Sequence, residues 1–301
     1  MIQETIRIGT LVKGQGDTAG YLRQILPHGF ESFSVMFWQT LGDADLAQLA
    51  DHCHNALADS DAVISSLSIY GDALMDDAEA QETRRGWERL IDAAPSFGCD
   101  LVTGFTGRIV DEPIEASLPR FAEVFGPLAE RAADRGVRIA FENCQMDGNW
   151  QRGGWNIAHG PPAWELMFNT LTNDNLGLEW EPCHQLVGLV EPLPQLRTWT
   201  PKIFHVHGKD ATVRWDVIRE SGMFGPETPV FHRTPGFGDS NWTDIVSELR
   251  RHGFEGSIDI EGWHDPVYKG DLELTGQVHA LNYLKQRRGG TFVANPPANP
   301  R

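Results

Sequence analysis

The reading turns on Asn175-Leu176-Gly177-Leu178-Glu179-Trp180-Glu181-Pro182-Cys183-His184. The stretch opens apolar like a buried strand, becomes polar at alternate positions and stops at Pro182. Side chains alternate faces along a strand, so Glu179 and Glu181 share one face and Trp180 takes the other. A carboxylate that closes such a strand, with His184 three residues on, makes a poor core and a good cation ligand. Three other short β-rich runs end the same way: Ile139-Ala140-Phe141-Glu142-Asn143, Ile203-Phe204-His205-Val206-His207 and Ile258-Asp259-Ile260-Glu261. The four ends are predicted to meet around one divalent metal.

Outward from these runs the chain alternates strands and helices. Strands are predicted over 6–12, 33–37, 62–70, 100–103, 137–141, 175–181, 202–206 and 257–260. Helices are predicted between them, among them one capped by Asp43 and one over 114–135 stopped by Gly136. Long loops follow the fifth and seventh strands, over 143–161 and 208–239. Eight such alternations imply a parallel sheet with right-handed crossovers, and 301 residues suit its closure into a single (β/α)8 barrel. The alternative is an open doubly wound sheet, against which stands the lack of a Gly-x-Gly-x-x-Gly turn after the first strand. Residues 1–288 form the barrel domain in this reading, and 289–301, rich in proline, form a tail that frays or drapes on a neighbour.

Composition narrows the class. A net charge of −17 argues against DNA or RNA as partner, because phosphate binding needs a basic surface. The four cysteines (Cys53, Cys99, Cys144 and Cys183) lie far apart with no C-x-x-C pair, which suits a reducing compartment. No signal-peptide pattern opens the chain, and no apolar run approaches the ~20 residues that span a bilayer. The expectation is a cytoplasmic protein with no membrane partner.

In a barrel, residues at the C-terminal ends of strands point into the mouth, where active sites of this architecture sit. Glu142, Glu181, His207 and Glu261 close strands five to eight; three carboxylates and one imidazole suit Mn²⁺, Mg²⁺, Co²⁺ or Zn²⁺. Each alone would more often be a solvated strand end or turn residue; four at one depth read as a metal site. Two residues before each ligand, on the same face, lie Ala140, Glu179, His205 and Asp259. Charged groups inside a barrel need partners, so Glu179, His205 and Asp259 are predicted to hydrogen-bond beneath the ligands, with Glu179 or Asp259 meeting an imidazole nitrogen.

Phe141-Glu142-Asn143, Trp180-Glu181-Pro182-Cys183-His184, His205-Val206-His207-Gly208-Lys209-Asp210, Pro235-Gly236-Phe237-Gly238 before Trp242, and Ile260-Glu261-Gly262 together resemble the xylose isomerase-like TIM-barrel superfamily. The likeness is to its sugar phosphate isomerase/epimerase group, which includes the ketose 3-epimerases, and is best over about residues 137–265. It implies metal ligation by Glu142, Glu181, His207 and Glu261, with manganese foremost, and Glu142 and Glu261 doubling as bases on opposite faces of a carbohydrate substrate. Glu181 departs from the family, which has Asp there. The resemblance also implies His184 and Arg214 as contacts to substrate oxygens; a helix cap and a surface salt bridge are their alternatives. A homo-oligomer, dimer or tetramer, is implied as well.

Trp38, Tyr70, Phe105, Trp150 and Trp155 fall at strand ends or in the loop after Glu142 and are candidates to line a carbohydrate pocket. Lys209 and His232 are possible anion contacts, and no Gly-rich phosphate cradle is present. The leading reading is a sugar isomerase or epimerase that abstracts a proton next to a carbonyl, through an enediolate. A lyase or dehydratase acting on a keto-sugar or 3-keto-glycoside is the alternative. A nuclease of the endonuclease IV type fits the acidic charge poorly, and a non-catalytic sugar binder would have no use for two bases.

Overall fold

The structure, a computed structural model, describes residues 6–289. Strands β1 (Ile6–Lys13), β2 (Ser32–Trp38), β3 (Val63–Tyr70), β4 (Leu101–Gly104), β5 (Arg138–Glu142), β6 (Leu176–Trp180) and β7 (Ile203–Gly208) are the first seven staves of a closed parallel barrel. Two short antiparallel strands follow outside it, β8 (Asp210–Val213) and β9 (Val230–Arg233), paired only with each other. The last stave is β10 (Gly256–Ile260), which slots between β7 and β1 and closes the cylinder. The predicted (β/α)8 barrel is the observed fold.

Helices α1 (Thr18–Ile25), α2 (Leu46–Leu57), α3 (Ala78–Ala93), α4 (Ile114–Ala133), α5 (Pro161–Thr170), α6 (Pro182–Val187), α7 (Pro192–Trp199), α8 (Trp215–Ser221), α9 (Trp242–Arg251) and α10 (Glu273–Arg288) occupy the connections. Side chains start several of them: Asp17, Asp45 and Asp77 each accept a backbone N–H in the first turn of α1, α2 and α3. Asp45 is the cap of α2, not Asp43 as predicted; Asp45 lies three residues before Gln48, whose N–H it takes at 3.0 Å, and Asp43 sits in the preceding turn. Between sheet and helices packs an aromatic cluster of Trp87, Phe121, Phe125 and Phe141, with Phe125 edge-on to Phe141 at 5.0 Å.

The two long loops differ from each other. Over 208–239, predicted as one loop, the chain makes β8, α8 and β9. Four-residue strands around a two-turn helix leave too short a periodic signal to read. Asp210 organises the start of this excursion by accepting from Ala211 N–H, Ser240 N–H and Trp242 Nε1. The loop after β5 has no regular structure up to α5 and is held by side chains instead. Arg108, fully buried, donates to the carbonyls of Glu112, Asn149 and Trp150. Asn156 donates to the carbonyls of Glu142 and Cys144, both at 2.7 Å.

Gly289 ends α10 with φ +112; the rest of the predicted tail, 290–301, lies outside the described residues. Among the described residues, no helix is long and apolar enough to cross a membrane.

Candidate metal and substrate site

Glu142 ends β5, Glu181 directly follows β6, His207 lies near the end of β7 and Glu261 directly follows β10. One ligand atom from each lies within 4.8 Å of all the others, and all four residues are buried. Asn143 fixes Glu181 from the neighbouring strand: its Oδ1 accepts Glu181 N–H at 2.7 Å and its Nδ2 donates to the Glu181 carbonyl at 2.9 Å. His207 turns Nε2 towards Glu179 Oε1, 3.1 Å away, and Nδ1 towards Glu261 Oε2 and Glu142 Oε1, at 3.3 and 3.6 Å. A proton on Nε2 therefore leaves the Nδ1 lone pair facing the carboxylates.

The polar atoms that face this centre are short of donors. Both Glu181 oxygens, His207 Nδ1 and Glu261 Oε2 are buried without a hydrogen bond. His184 Nε2 approaches Glu181 Oε1 to 2.6 Å, but outside hydrogen-bond geometry. Buried carboxylate oxygens left this way carry a large desolvation penalty unless a cation shares them. The donor set and its unpartnered atoms fit a divalent metal.

Lys209 completes the charge around the centre. Its Nζ donates to Glu261 Oε1 at 2.8 Å and lies 3.2 Å from His184 Nε2 and 3.8 Å from Glu181 Oε1. The signal for it was present: His205, His207 and Lys209 stand at alternate positions, and the alternation runs one step past the strand. Burial would raise the Glu261 carboxyl, but Lys209, then His207 and His264, hold it well below the usual range. Glu142 goes the other way: burial outweighs its contact with His207 and raises it. Burial, with Lys209 and His232 nearby, pushes His184 well down, so its imidazole is neutral.

One layer deeper every charge has partners. His205 bridges Glu179 Oε1 through Nδ1 at 2.7 Å and Asp259 Oδ2 through Nε2 at 2.8 Å, so the two carboxylates expected as alternatives both meet the imidazole. Tyr70 OH donates to Glu179 Oε2 at 3.0 Å. Asp259 also accepts from Ser32 Oγ at 2.5 Å and from Ser65. Gly9 makes room for this: a Cβ there would lie 2.2 Å from Asp259 Oδ1 and from Ser32 Oγ. Burial would raise the Glu179 carboxyl, but His207 and His205 hold it down to about 2.

Above the cage opens a cavity of about 600 Å³. Met36, Trp38, Tyr70 and Phe105 form one wall; His184, Lys209, His232 and His264 form another. Three predicted contacts are not brought there. Arg214 donates to Glu227 at 2.9 Å and lies over the Phe231 ring, because β8 carries the chain away from the mouth before α8 begins. Trp150 donates from Nε1 to Glu115 at 2.8 Å and ties the loop to α4. Trp155 stands behind the wall, stacked on Trp38 with ring centroids 5.8 Å apart. His264, which no motif marked, lies 3.2 Å from Glu261 Oε1.

Residues 22–287 match the model of a family described as the xylose isomerase-like TIM barrel. The chain belongs to this family. A curated relative, the rhizopine catabolism protein MocC of Rhizobium meliloti, is 28% identical over 164 residues, 52% of this chain and 44% of that protein. The match thus spans less than half the length of that relative. Among solved structures, a xylose isomerase domain protein from Planctomyces limnophilus superposes with a TM-score of 0.72 at 17% identity, covering 94% of this chain and 97% of that one. The 3-keto-D-glucoside 4-epimerase YcjR from E. coli gives 0.69 at 13% identity, covering 93% and 99%. At such identities the likeness is one of fold.

Within this xylose isomerase-like barrel, Glu181 is the departure from the Asp of the resemblance. Its backbone is clamped by Asn143 just past the strand end, and the longer side chain still brings an oxygen into the same 4.8 Å cluster. The substitution is compatible with the cage.

Proposed function

We propose that the protein is a divalent-metal-dependent sugar isomerase or epimerase that moves a proton on the carbon next to a carbonyl, through an enediolate. Glu142, Glu181, His207 and Glu261 would hold the ion, with manganese the first choice. A cation in this cage supplies a Lewis acid that polarises substrate oxygens. Lys209 keeps Glu261 ionised, the form a proton acceptor must have. Glu142 faces it across the cage from β5, with β6 and β7 between their strands, and is the second base. His184, neutral and beside Lys209, is the contact for a substrate hydroxyl; Tyr70 packs on the sugar, and Trp38 meets the substrate further out on the same wall. The name of the E. coli neighbour supports a keto-sugar as substrate.

The observation that carries this reading is the set of unpartnered buried atoms on Glu181, His207 and Glu261, aimed at one point beneath a large cavity. The test is a panel of keto-sugars in D₂O with the manganese-loaded protein. Deuterium at the carbon next to the carbonyl of an epimer or isomer is expected; no exchange in any panel member would sink the proposal. The half-exposed Trp38 at the rim favours one second reading, a lyase that expels water or an aglycone by β-elimination from the same site. Product analysis separates the two. The proposal includes a cytoplasmic setting, in keeping with four free, buried cysteines, and a homo-oligomer, for which light scattering of the purified protein is the check.

A further inference from the structure

The outer end of the cavity is built with more care than a bare sugar ring requires. Trp38 is backed on one face by Trp155, at 5.8 Å and 29° between planes, and met edge-on by Phe105 at 6.4 Å and 82°. It nonetheless keeps 50% of its surface exposed, and that surface lines the cavity. Trp155 is held in place from below: its backbone has φ +69, and its N–H donates to Asp72 Oδ2 at 3.0 Å. Asp72 Oδ1 takes the N–H groups of Leu74 and Arg108, both at 3.0 Å. Gly107, at φ +91, leaves the space for it, since a Cβ there would lie 2.4 Å from Asp72 Oδ1. Gln39, Met146, Asp147 and Trp263 around the same mouth also have left-handed backbones. Such strain persists where the surroundings impose it, and it gathers at functional sites.

We propose that Trp38 is the floor of a subsite for an apolar, aromatic substituent, so that the substrate is an aryl glycoside of a keto-sugar. The proposal rests on the sugar isomerase or epimerase reading for the position of the ring. Tyr70 touches the cage through its hydroxyl; Phe105 packs on Tyr70 at 5.1 Å, and Trp38 lies one ring contact further out. A ring seated over the cage reaches Tyr70 and Phe105, and a second group is needed to cover Trp38. Beside Trp38 the wall carries Met36, Phe105 and Met146, with the polar Lys13 and Gln15 also lining the cavity, so a second sugar would set part of its hydroxyl-bearing surface against thioether and aromatic groups. A flat apolar group stacks there with nothing left unpaired.

Calorimetry on the manganese-loaded protein tests this with phenyl 3-keto-β-D-glucoside, free 3-keto-D-glucose and a 3-keto disaccharide. The phenyl compound is expected to bind at least 10-fold more tightly than the free sugar and the disaccharide. In Trp38→Ala the ratio to the free sugar is expected to fall towards one; in Trp38→Phe most of it is expected to return. Equal binding of the phenyl compound and the free sugar overturns the proposal, as does a disaccharide that binds as tightly as the phenyl compound. Because binding is read without turnover, a failure here leaves deuterium exchange intact, and a failure of exchange leaves the binding ratio to stand alone.

Discussion

Two layers of the same barrel, one directly above the other, are made from the same kinds of side chain and end in opposite states. The lower layer, Glu179, His205 and Asp259, closes on itself: His205 uses both nitrogens on carboxylates, and Ser32, Ser65 and Tyr70 serve the remaining oxygens. The upper layer, Glu142, Glu181, His207 and Glu261, has Lys209 for one oxygen of Glu261 and leaves other inward atoms without donors. Buried charge is tolerated in a fold when its partners are protein groups, and it marks a binding site when they are not. The lower layer is scaffold; the upper is where the proposed cation and substrate would sit.

The sharpest way to break this contrast is to alter one residue of each layer. Glu261→Gln is expected to lower deuterium exchange at the substrate carbon by ~10³-fold, the scale of a lost general base, while urea unfolding moves little. Wild-type exchange in that variant would remove Glu261 from the base role. Asp259→Ala should do the reverse in kind, destabilising by about 3–5 kcal/mol because His205 loses a carboxylate and two serines lose their acceptor. A change under about 1 kcal/mol in urea would mean that the lower layer is not a closed network. Next in size is the effect of metal: Mn²⁺ at about 100 times its Kd is expected to stabilise by about 2.7 kcal/mol. EDTA should reverse this, and Glu181→Gln should lose the increment; an unchanged Tm in both would argue against a cation in the upper layer.

The smallest effect serves as a control outside both layers. Glu31 accepts from Arg288 at the end of α10 and from Ile8 N–H; burial alone would raise its carboxyl, but these contacts and Lys285 hold it below its usual value. A depressed carboxyl stabilises above its unfolded value, near pH 4.5, and loses that contribution as the pH falls through its folded value. Glu31→Gln should therefore lower stability modestly at neutral pH and flatten the fall below about pH 4.5, so that the two proteins converge in acid. An identical acid profile would show the ion pair to be idle.

Much of this was legible in the residues, for a reason that also sets the limit. Period-two alternation names both what closes a strand and what lies beneath it, so Glu179 and Glu181, or His205 and His207, could be assigned to adjacent layers from sequence. The same rule extends to Lys209, past the end of β7, where counting strands alone stops too soon. It gives nothing for groups that arrive from other elements. Ser32 and Ser65 reach Asp259 from β2 and β3, with sequence separations of 227 and 194, and ordinary strand serines carry no mark of that pairing. Arg214, placed at the mouth only by the resemblance, makes instead the surface salt bridge that was its alternative, because the chain turns into β8 after β7. The tryptophans of the β5 loop read as one rim, whereas buried Arg108 and half-buried Asp72 divide their tasks.

The way the cylinder shuts has a consequence for how the protein is made. Because β10 is the stave that joins β7 to β1, Glu261 and Asp259 reach their places only after the other seven staves have been synthesised. Until then Glu142, Glu181 and His207 lack the fourth member of the proposed metal site and His205 has only half of its bridge, so an ion met by the nascent polypeptide would be held by fewer arms. On the proposed reading, closure of the cylinder and loading of the cation would be coupled.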